Sequence, residues 1–120
     1  MIITIAALPL AAQNTVTFKV NLTPQLEDSI FVPGRDIALL QGNLYPLTPT
    51  HRFQLTEGSE IDSIYTVDVN FPLTAINKEL KYTFILKTPE KEITEMNPRF
   101  LRIKKGDREL DALYFDTFAW

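Results

Sequence analysis

Glu79-Leu-Lys-Tyr-Thr-Phe-Ile-Leu-Lys87 is the stretch of this chain that decides the fold class. Every second residue from Leu80 to Leu86 is large and apolar. A period of two places those side chains on one face of a strand and buries that face. The same period occurs in residues 15–22 and 64–71. These three segments therefore predict long half-buried β-strands.

Shorter apolar runs separated by turn residues fill the rest of the chain. Asp36–Gln41, His51–Leu55, Lys91–Thr94, Phe100–Ile103 and Leu110–Phe115 are predicted as short strands. No stretch shows a sustained helical period, and many short strands at this spacing favour a sandwich. We expect an all-β fold, an Ig-like antiparallel β-sandwich of about seven or eight strands. The aromatic residues expected in its core are Phe18, Phe53, Tyr65, Phe71, Tyr82, Phe84, Phe100 and Phe115.

Length and composition set limits on the class of protein. The chain has 120 residues, which suits one domain, and it has no cysteine, which excludes disulfides and thiolate metal sites. Fifteen acidic and 12 basic residues give a net charge of −3. The basic residues are scattered, whereas nucleic-acid binding requires a dense positive face. The charge pattern therefore argues against a nucleic-acid partner.

Residues 1–13 are apolar and uncharged, and the first charged residue is Lys19. The run is too short to span a membrane as a helix, and the small residues Ala11 and Ala12 suit a cleavage site. We interpret residues 1–13 as a signal-peptide remnant, with a buried N-terminal strand as the alternative. Residues 14–120 form the predicted module, secreted, periplasmic or on the cell surface. The end at Trp120 directly after a predicted strand suggests the N-terminal part of a longer protein.

Residues able to support catalysis or hold a metal are sparse. The chain has three serines and one histidine, and it lacks a Gly-x-Ser-x-Gly elbow. All four glycines are isolated, so no phosphate-binding loop is predicted. An acidic turn with Glu57, Glu60 and Asp62 matches no calcium-loop spacing. We predict no catalytic residue, no cofactor and no metal site, and hence no enzymatic activity in this segment.

Several short motifs follow one another in an order that resembles a known family. They are Val16-Thr-Phe-Lys-Val20, Ile37-Ala-Leu-Leu-Gln-Gly-Asn43, Ile64-Tyr-Thr66, Leu80-Lys-Tyr-Thr-Phe84, Glu95-Met-Asn-Pro-Arg99 and Tyr114-Phe-Asp116. In this order, from Asn14 to Phe115, the chain resembles the family 20 carbohydrate-binding modules, which are starch-binding domains. It is also similar to the N-terminal modules of secreted Bacteroidetes hydrolases.

The resemblance implies a glycan site, but the residues typical of starch binding are replaced. The family stacks sugar rings on two tryptophans beside a lysine. The corresponding positions here are Leu47 or Pro49, then Thr94, with Thr83 in the place of the lysine.

The site that this resemblance implies therefore consists of Tyr45, His51, Glu95 and Asn97. Tyr45 is the loop aromatic that remains for stacking, and its alternative is a ring folded onto the sandwich edge. His51 by itself is typical of a surface histidine.

Two functions follow from these observations. The first is a non-catalytic carbohydrate-binding accessory module of a secreted glycan-processing or hydrolytic protein. Its partners would be a polysaccharide or oligosaccharide and a downstream catalytic domain in the same chain. The second is a structural spacer or docking module that binds no glycan.

Overall fold

The protein is described by a computed structural model that covers residues 14–58 and 63–116. The predicted signal segment, most of the acidic turn and the final Trp120 lie outside these described residues. Within them the chain forms nine strands, a five-residue α-helix α1 at Thr23–Glu27 and a 3-10 turn at Leu73–Ala75. The strands are β1 Thr15–Asn21, β2 Ile37–Gly42, β3 Phe53–Glu57, β4 Ile64–Asn70, β5 Glu79–Lys87, β6 Glu92–Thr94, β7 Arg99–Arg102, β8 Arg108–Glu109 and β9 Leu113–Tyr114.

One folded sheet carries all nine strands. Its order is β6-β5-β2-β3-β4-β1-β8, with β7 also pairing with β5 and β9 also pairing with β1. Strand β3 bonds to β2 along one edge and to β4 along the other, so it joins the two halves of the sheet. The ring centroids of Phe18 on β1 and Tyr82 on β5 lie 5.0 Å apart, although their strands are far apart in the sheet order. The two halves therefore face each other, and the predicted all-β sandwich is confirmed.

The strands differ from the prediction in number and direction at the C-terminal end. The predicted strand Leu110–Phe115 is replaced by β8 and β9, which both pair with β1 in the parallel direction. The sheet is therefore mixed, while its other pairs are antiparallel. Alternation along a sequence indicates which face is buried, but it carries no information on the direction of the neighbouring strand.

The core follows the period of two seen in the sequence. Leu80, Tyr82, Phe84 and Leu86 of β5 are all buried, as the alternation predicts. The other members of the core come from both halves of the sheet and include Val16, Phe18, Val20, Ala38, Leu40, Leu55, Tyr65, Val69 and Phe71. Large apolar side chains of this kind each contribute about 1.5–3 kcal/mol when fully buried.

Two aromatic residues are not where the sequence predicted them. Phe100 was expected in the core but is 58% exposed, because Arg99 takes the inward position on β7 and lies 5.0 Å from the centre of the Phe84 ring. Phe31 was not predicted in the core but is 2% exposed, and its ring packs edge-on against Tyr65. Within the described residues, no helix has the length and apolar character needed to cross a membrane.

Candidate functional site

A shallow groove of about 390 Å³ lies where the β2–β3 loop, strand β5 and the turn before β7 meet. The walls are formed by side chains and backbone of Gln41, Gly42, Asn43, Pro49, Lys81, Tyr82, Thr83 and Pro98. Pro49 and Thr83, two positions that the resemblance relates to starch binding, line this groove, whereas the four residues of the implied site do not. The lining is mixed, with amide, hydroxyl and ammonium groups beside two proline rings.

The loop on one side of the groove is tied to β5 by backbone contacts. The Asn43 side-chain Oδ1 accepts a hydrogen bond from the Lys81 N–H at 2.9 Å, and the Asn43 N–H donates to the Lys81 carbonyl at 3.2 Å. Leu47 is completely buried beneath the loop. A Cβ on Gly42 would lie 3.0 Å from Leu80 and 3.1 Å from Leu47, so a side chain there would crowd this contact. The groove wall is therefore held in a fixed position.

Tyr45 and His51 both belong to this loop region, and both are exposed. The Tyr45 side chain is 70% exposed, so the alternative of a ring folded onto the sandwich edge does not apply. The His51 ring lies 5.2 Å from the Phe53 ring, and the His51 backbone N–H donates to the Thr48 hydroxyl at 2.9 Å. Tyr45 thus offers a free aromatic ring on the loop that forms one wall of the groove, whereas the His51 ring packs against Phe53.

Glu95 points into the protein rather than into the groove, and its side chain is 1% exposed. One carboxylate oxygen accepts the Phe84 N–H at 3.0 Å, and the other accepts the Asp116 N–H at 2.7 Å. The Arg99 guanidinium donates to both oxygens, at 3.0 and 2.5 Å. The carboxylate therefore has a full set of protein partners, and we assign it to the structure of the 95–99 turn.

Arg99 connects this turn to the C-terminal strand. Besides Glu95, its guanidinium donates to the Tyr114 carbonyl at 2.9 Å. The Asp116 carboxylate in turn accepts the Met96 N–H at 2.7 Å. Two segments separated along the sequence are thus held together by charge-assisted hydrogen bonds, which are the stronger class.

The Asn97 side chain is exposed, and Asn97 directly precedes Pro98 in the groove wall. The loop that contains Tyr45 and the turn that contains Asn97 therefore form two sides of one groove. His51 is exposed two positions before β3 begins, and Glu95 lies inside the fold.

Three residues beside the groove were not predicted as site residues. The Asn43 and Lys81 side chains are exposed at its walls, and Phe100 pairs with Lys81 across β5 and β7. Directly opposite residues project on the same face, so the Phe100 ring stands on the same face of the sheet as Lys81. The alternation of β5 already implied that Lys81 points outward. Nothing in the sequence placed Phe100 beside it.

Burial affects one titratable group of the groove. It raises the pKa of the Tyr82 phenol, because the ionised form is poorly solvated there. At neutral pH the hydroxyl is therefore protonated and able to donate a hydrogen bond. Within residues 14–58 and 63–116 no three His, Asp or Glu side chains converge in a way that would hold a metal ion.

No protein-family model matches the chain, and no curated protein matches it either.

Proposed function

We propose that the protein is a non-catalytic carbohydrate-binding module in which the groove beside β5 binds a glycan. The observation that carries the proposal is the 70% exposed Tyr45 side chain in the loop that forms one wall of this groove. Sugar rings have an apolar face that stacks on aromatic side chains and a rim of hydroxyls that need polar partners. Phe100, 58% exposed and paired with Lys81, supplies a second ring on the same face.

The polar partners of the glycan follow from the hydrogen bonds already made. Because Asn43 uses its Oδ1 to accept the Lys81 N–H, its Nδ2 group remains as a donor to a ligand. The Lys81 ammonium and the Thr83 hydroxyl lie along the same outward face of β5. Pro49 and Pro98 provide apolar edges. We assign Tyr45, Phe100, Asn43 and Lys81 to the binding site, with Asn97 at its rim.

The biological setting that we propose follows from the resemblance. The module would be the accessory part of a secreted glycan-processing or hydrolytic protein, outside the cytoplasm. It would keep a catalytic domain of the same chain close to a polysaccharide. Starch is the glycan implied by the family, and the replaced tryptophans make other glycans equal candidates.

Affinity electrophoresis tests this function. Residues 14–120 are run through gels that contain soluble starch, β-glucan, xylan or mannan, and cyclodextrin is added as a competitor. We expect retardation by at least one glycan. The variants Tyr45→Ala and Phe100→Ala should each weaken it about tenfold, which corresponds to the loss of about 1.4 kcal/mol of binding free energy. Tyr114→Ala is the matched control, because that ring is 52% exposed on β9 in the other half of the sheet.

The alternative function is a structural spacer or docking module. Glu95, the acidic residue in the motif that resembles the family, favours this alternative. Its carboxylate accepts hydrogen bonds from β5 and from the C-terminal segment and so joins them. Equal mobility of the protein in all glycan gels and in a glycan-free gel would support this alternative. Equal retardation of wild type and Tyr45→Ala would exclude the proposed site while leaving glycan binding elsewhere.

A further inference from the structure

A second and larger cleft, of about 590 Å³, opens between β6, the turn after α1 and the C-terminal segment. Leu86, Ile93 and Phe115 give it apolar walls, and Ile30 stands at 43% exposure beside them. Charged and hydroxyl groups surround this apolar part, from Ser29, Arg35, Thr88, Glu90, Lys91 and Asp116. The cleft is separate from the groove beside Tyr45, since the two share no lining residue.

Strand β6 forms one side of this cleft, and its outer edge is unpaired. Its sheet neighbour is β5 alone. The Thr88 N–H donates to the Lys91 carbonyl at 2.9 Å, and in an antiparallel ladder such bonded pairs occur at every second residue. Ile93 is therefore bonded to β5, whereas Glu92 and Thr94 direct their N–H and C=O groups away from it. Among the described residues these outward groups have no hydrogen-bond partner.

The side chains of β6 determine what an added strand would carry. Ile93 and Lys91 both line the cleft, so residues opposite them would also point into it. The residue opposite Ile93 would contact the apolar walls. The Lys91 ammonium has no ion-pair partner in the described chain, whereas the neighbouring Glu92 is paired with Arg52 at 3.0 Å. The residue opposite Lys91 should therefore be acidic.

We propose that this cleft binds an extended peptide, which adds to β6 as an antiparallel strand. The peptide carries a large apolar residue opposite Ile93 and, two positions later, an Asp or Glu opposite Lys91. Its backbone makes hydrogen bonds to Glu92 and Thr94. Strand addition of this kind takes affinity from backbone bonds and specificity from alternate side chains.

A second copy of this chain fits the same edge less well. Two β6 strands paired antiparallel about Ile93 would place Lys91 opposite Glu95 of the other copy. That carboxylate is already occupied by Arg99 and by two backbone N–H groups. A dimer in this register therefore leaves the Lys91 charge without a partner, whereas an acidic peptide supplies one.

Fluorescence anisotropy with a labelled, end-blocked peptide STFTETS tests the proposal on the full chain. Its Phe lies opposite Ile93 and its Glu opposite Lys91. Thr94→Pro removes an outward N–H without touching the ladder to β5, and Pro is tolerated at such edge positions. We expect Thr94→Pro to weaken binding at least about tenfold through the lost backbone bond and the constrained edge. Thr94→Ala keeps the N–H and should bind within about twofold of wild type.

A charge exchange and a modified peptide provide independent measurements. Lys91→Glu should weaken binding of STFTETS. The same variant should bind the charge-exchanged peptide STFTKTS about as tightly as the wild type binds STFTETS. A peptide N-methylated at its second and fourth residues should bind at least about tenfold more weakly to the unchanged protein, since it loses two backbone donors. This measurement decides the matter even if Thr94→Pro does not fold.

Three results would overturn the proposal. They are equal binding of a scrambled peptide, equal affinity of the N-methylated peptide, and no saturation at millimolar peptide. Size-exclusion chromatography adds a fourth. If the wild-type chain is a dimer that Thr94→Pro converts to a monomer, the occupant of the edge is a second copy and not a peptide.

Discussion

The 95–99 turn and the 43–51 loop face the same groove, but they use their polar and aromatic residues in opposite ways. In the turn, Glu95 is buried and receives hydrogen bonds from Phe84, Arg99 and Asp116. In the loop, Tyr45 stands 70% exposed. Both residues were predicted to bind a ligand. The difference shows that a polar residue predicted to bind a ligand can serve the fold instead, while an aromatic ring predicted for the same site stays exposed.

The turn also shows how a short edge strand is interrupted. Strands β6 and β7 lie along the same edge of β5, and residues 95–98 separate them. Glu95 keeps the ladder closed at the break, because its carboxylate accepts the Phe84 N–H that a strand carbonyl would otherwise accept. The 43–51 loop does not bridge a break between two strands in this way. Its backbone is fixed through Asn43 and Leu47, and the Tyr45 side chain is exposed.

Glu95→Ala should have the largest effect on stability. It leaves the buried Phe84 N–H without an acceptor and the Arg99 guanidinium, 15% exposed, without a counter-charge. Loss of one partner of a buried ion pair costs about 3–5 kcal/mol, so we expect the free energy of unfolding to fall by that amount. Urea denaturation followed by circular dichroism measures it. A loss below about 1 kcal/mol would contradict the structural role of this carboxylate.

Asp36→Asn provides an intermediate test, because Asp36 is a second buried carboxylate whose partners are close in sequence. The Arg35 guanidinium donates to both its oxygens at 2.7 and 2.8 Å, and the Val32 N–H donates at 2.8 Å. The hydrogen bonds from Arg35 chiefly, and the one from Val32, lower the pKa of Asp36. We expect Asp36→Asn to lower the melting temperature at pH 7 by less than Glu95→Ala does.

The pH dependence of this effect follows from the lowered pKa. The unfolded chain takes up the Asp36 proton near its ordinary pKa of about 3.9, and the folded chain does so only at lower pH. The stabilisation is therefore complete above about pH 4 and is lost as the pH falls through the folded pKa. Melting temperatures of wild type and Asp36→Asn should converge between pH 7 and pH 2.5. A constant difference over this range would contradict the assignment.

The sequence predicted the long strands well, because one face of each is buried. The predicted bounds of Glu79–Lys87 agree with those of β5, and its four inward residues are buried as expected. The core prediction for Phe100 was wrong because a tertiary contact, the pairing of Arg99 with Glu95, draws Arg99 inward and turns Phe100 outward. The burial of Phe31 was not predicted because it depends on Tyr65, which lies 34 positions later in the chain. The alternation of residues along a strand carries no information on either of these tertiary contacts.

Sequence reasoning could place only some of the candidate site's side chains, because the others depend on tertiary contacts. Turn residues in the sequence placed Tyr45 in a loop but left open whether its ring is exposed or folded onto the sandwich edge, and the structure shows it 70% exposed. The inward direction of Glu95 depends on β5, on Arg99 and on the C-terminal segment, which meet only in the fold. Sequence reasoning did not include Asn43 and Lys81 in the proposed site, because their proximity arises from pairing of the loop with β5.

Tyr45→Ala should have the smallest effect on stability and so marks the other end of the comparison. The ring is 70% exposed, and substitutions at such positions usually change the free energy of unfolding by less than about 0.5 kcal/mol. Urea denaturation should therefore give equal midpoints for this variant and wild type, while glycan binding weakens about tenfold. His51→Ala is the control within the loop, since its ring packs against Phe53 and does not line the groove. If Tyr45→Ala lost stability comparable to Glu95→Ala, the loop would be structural too, and its ring would not be available to a sugar.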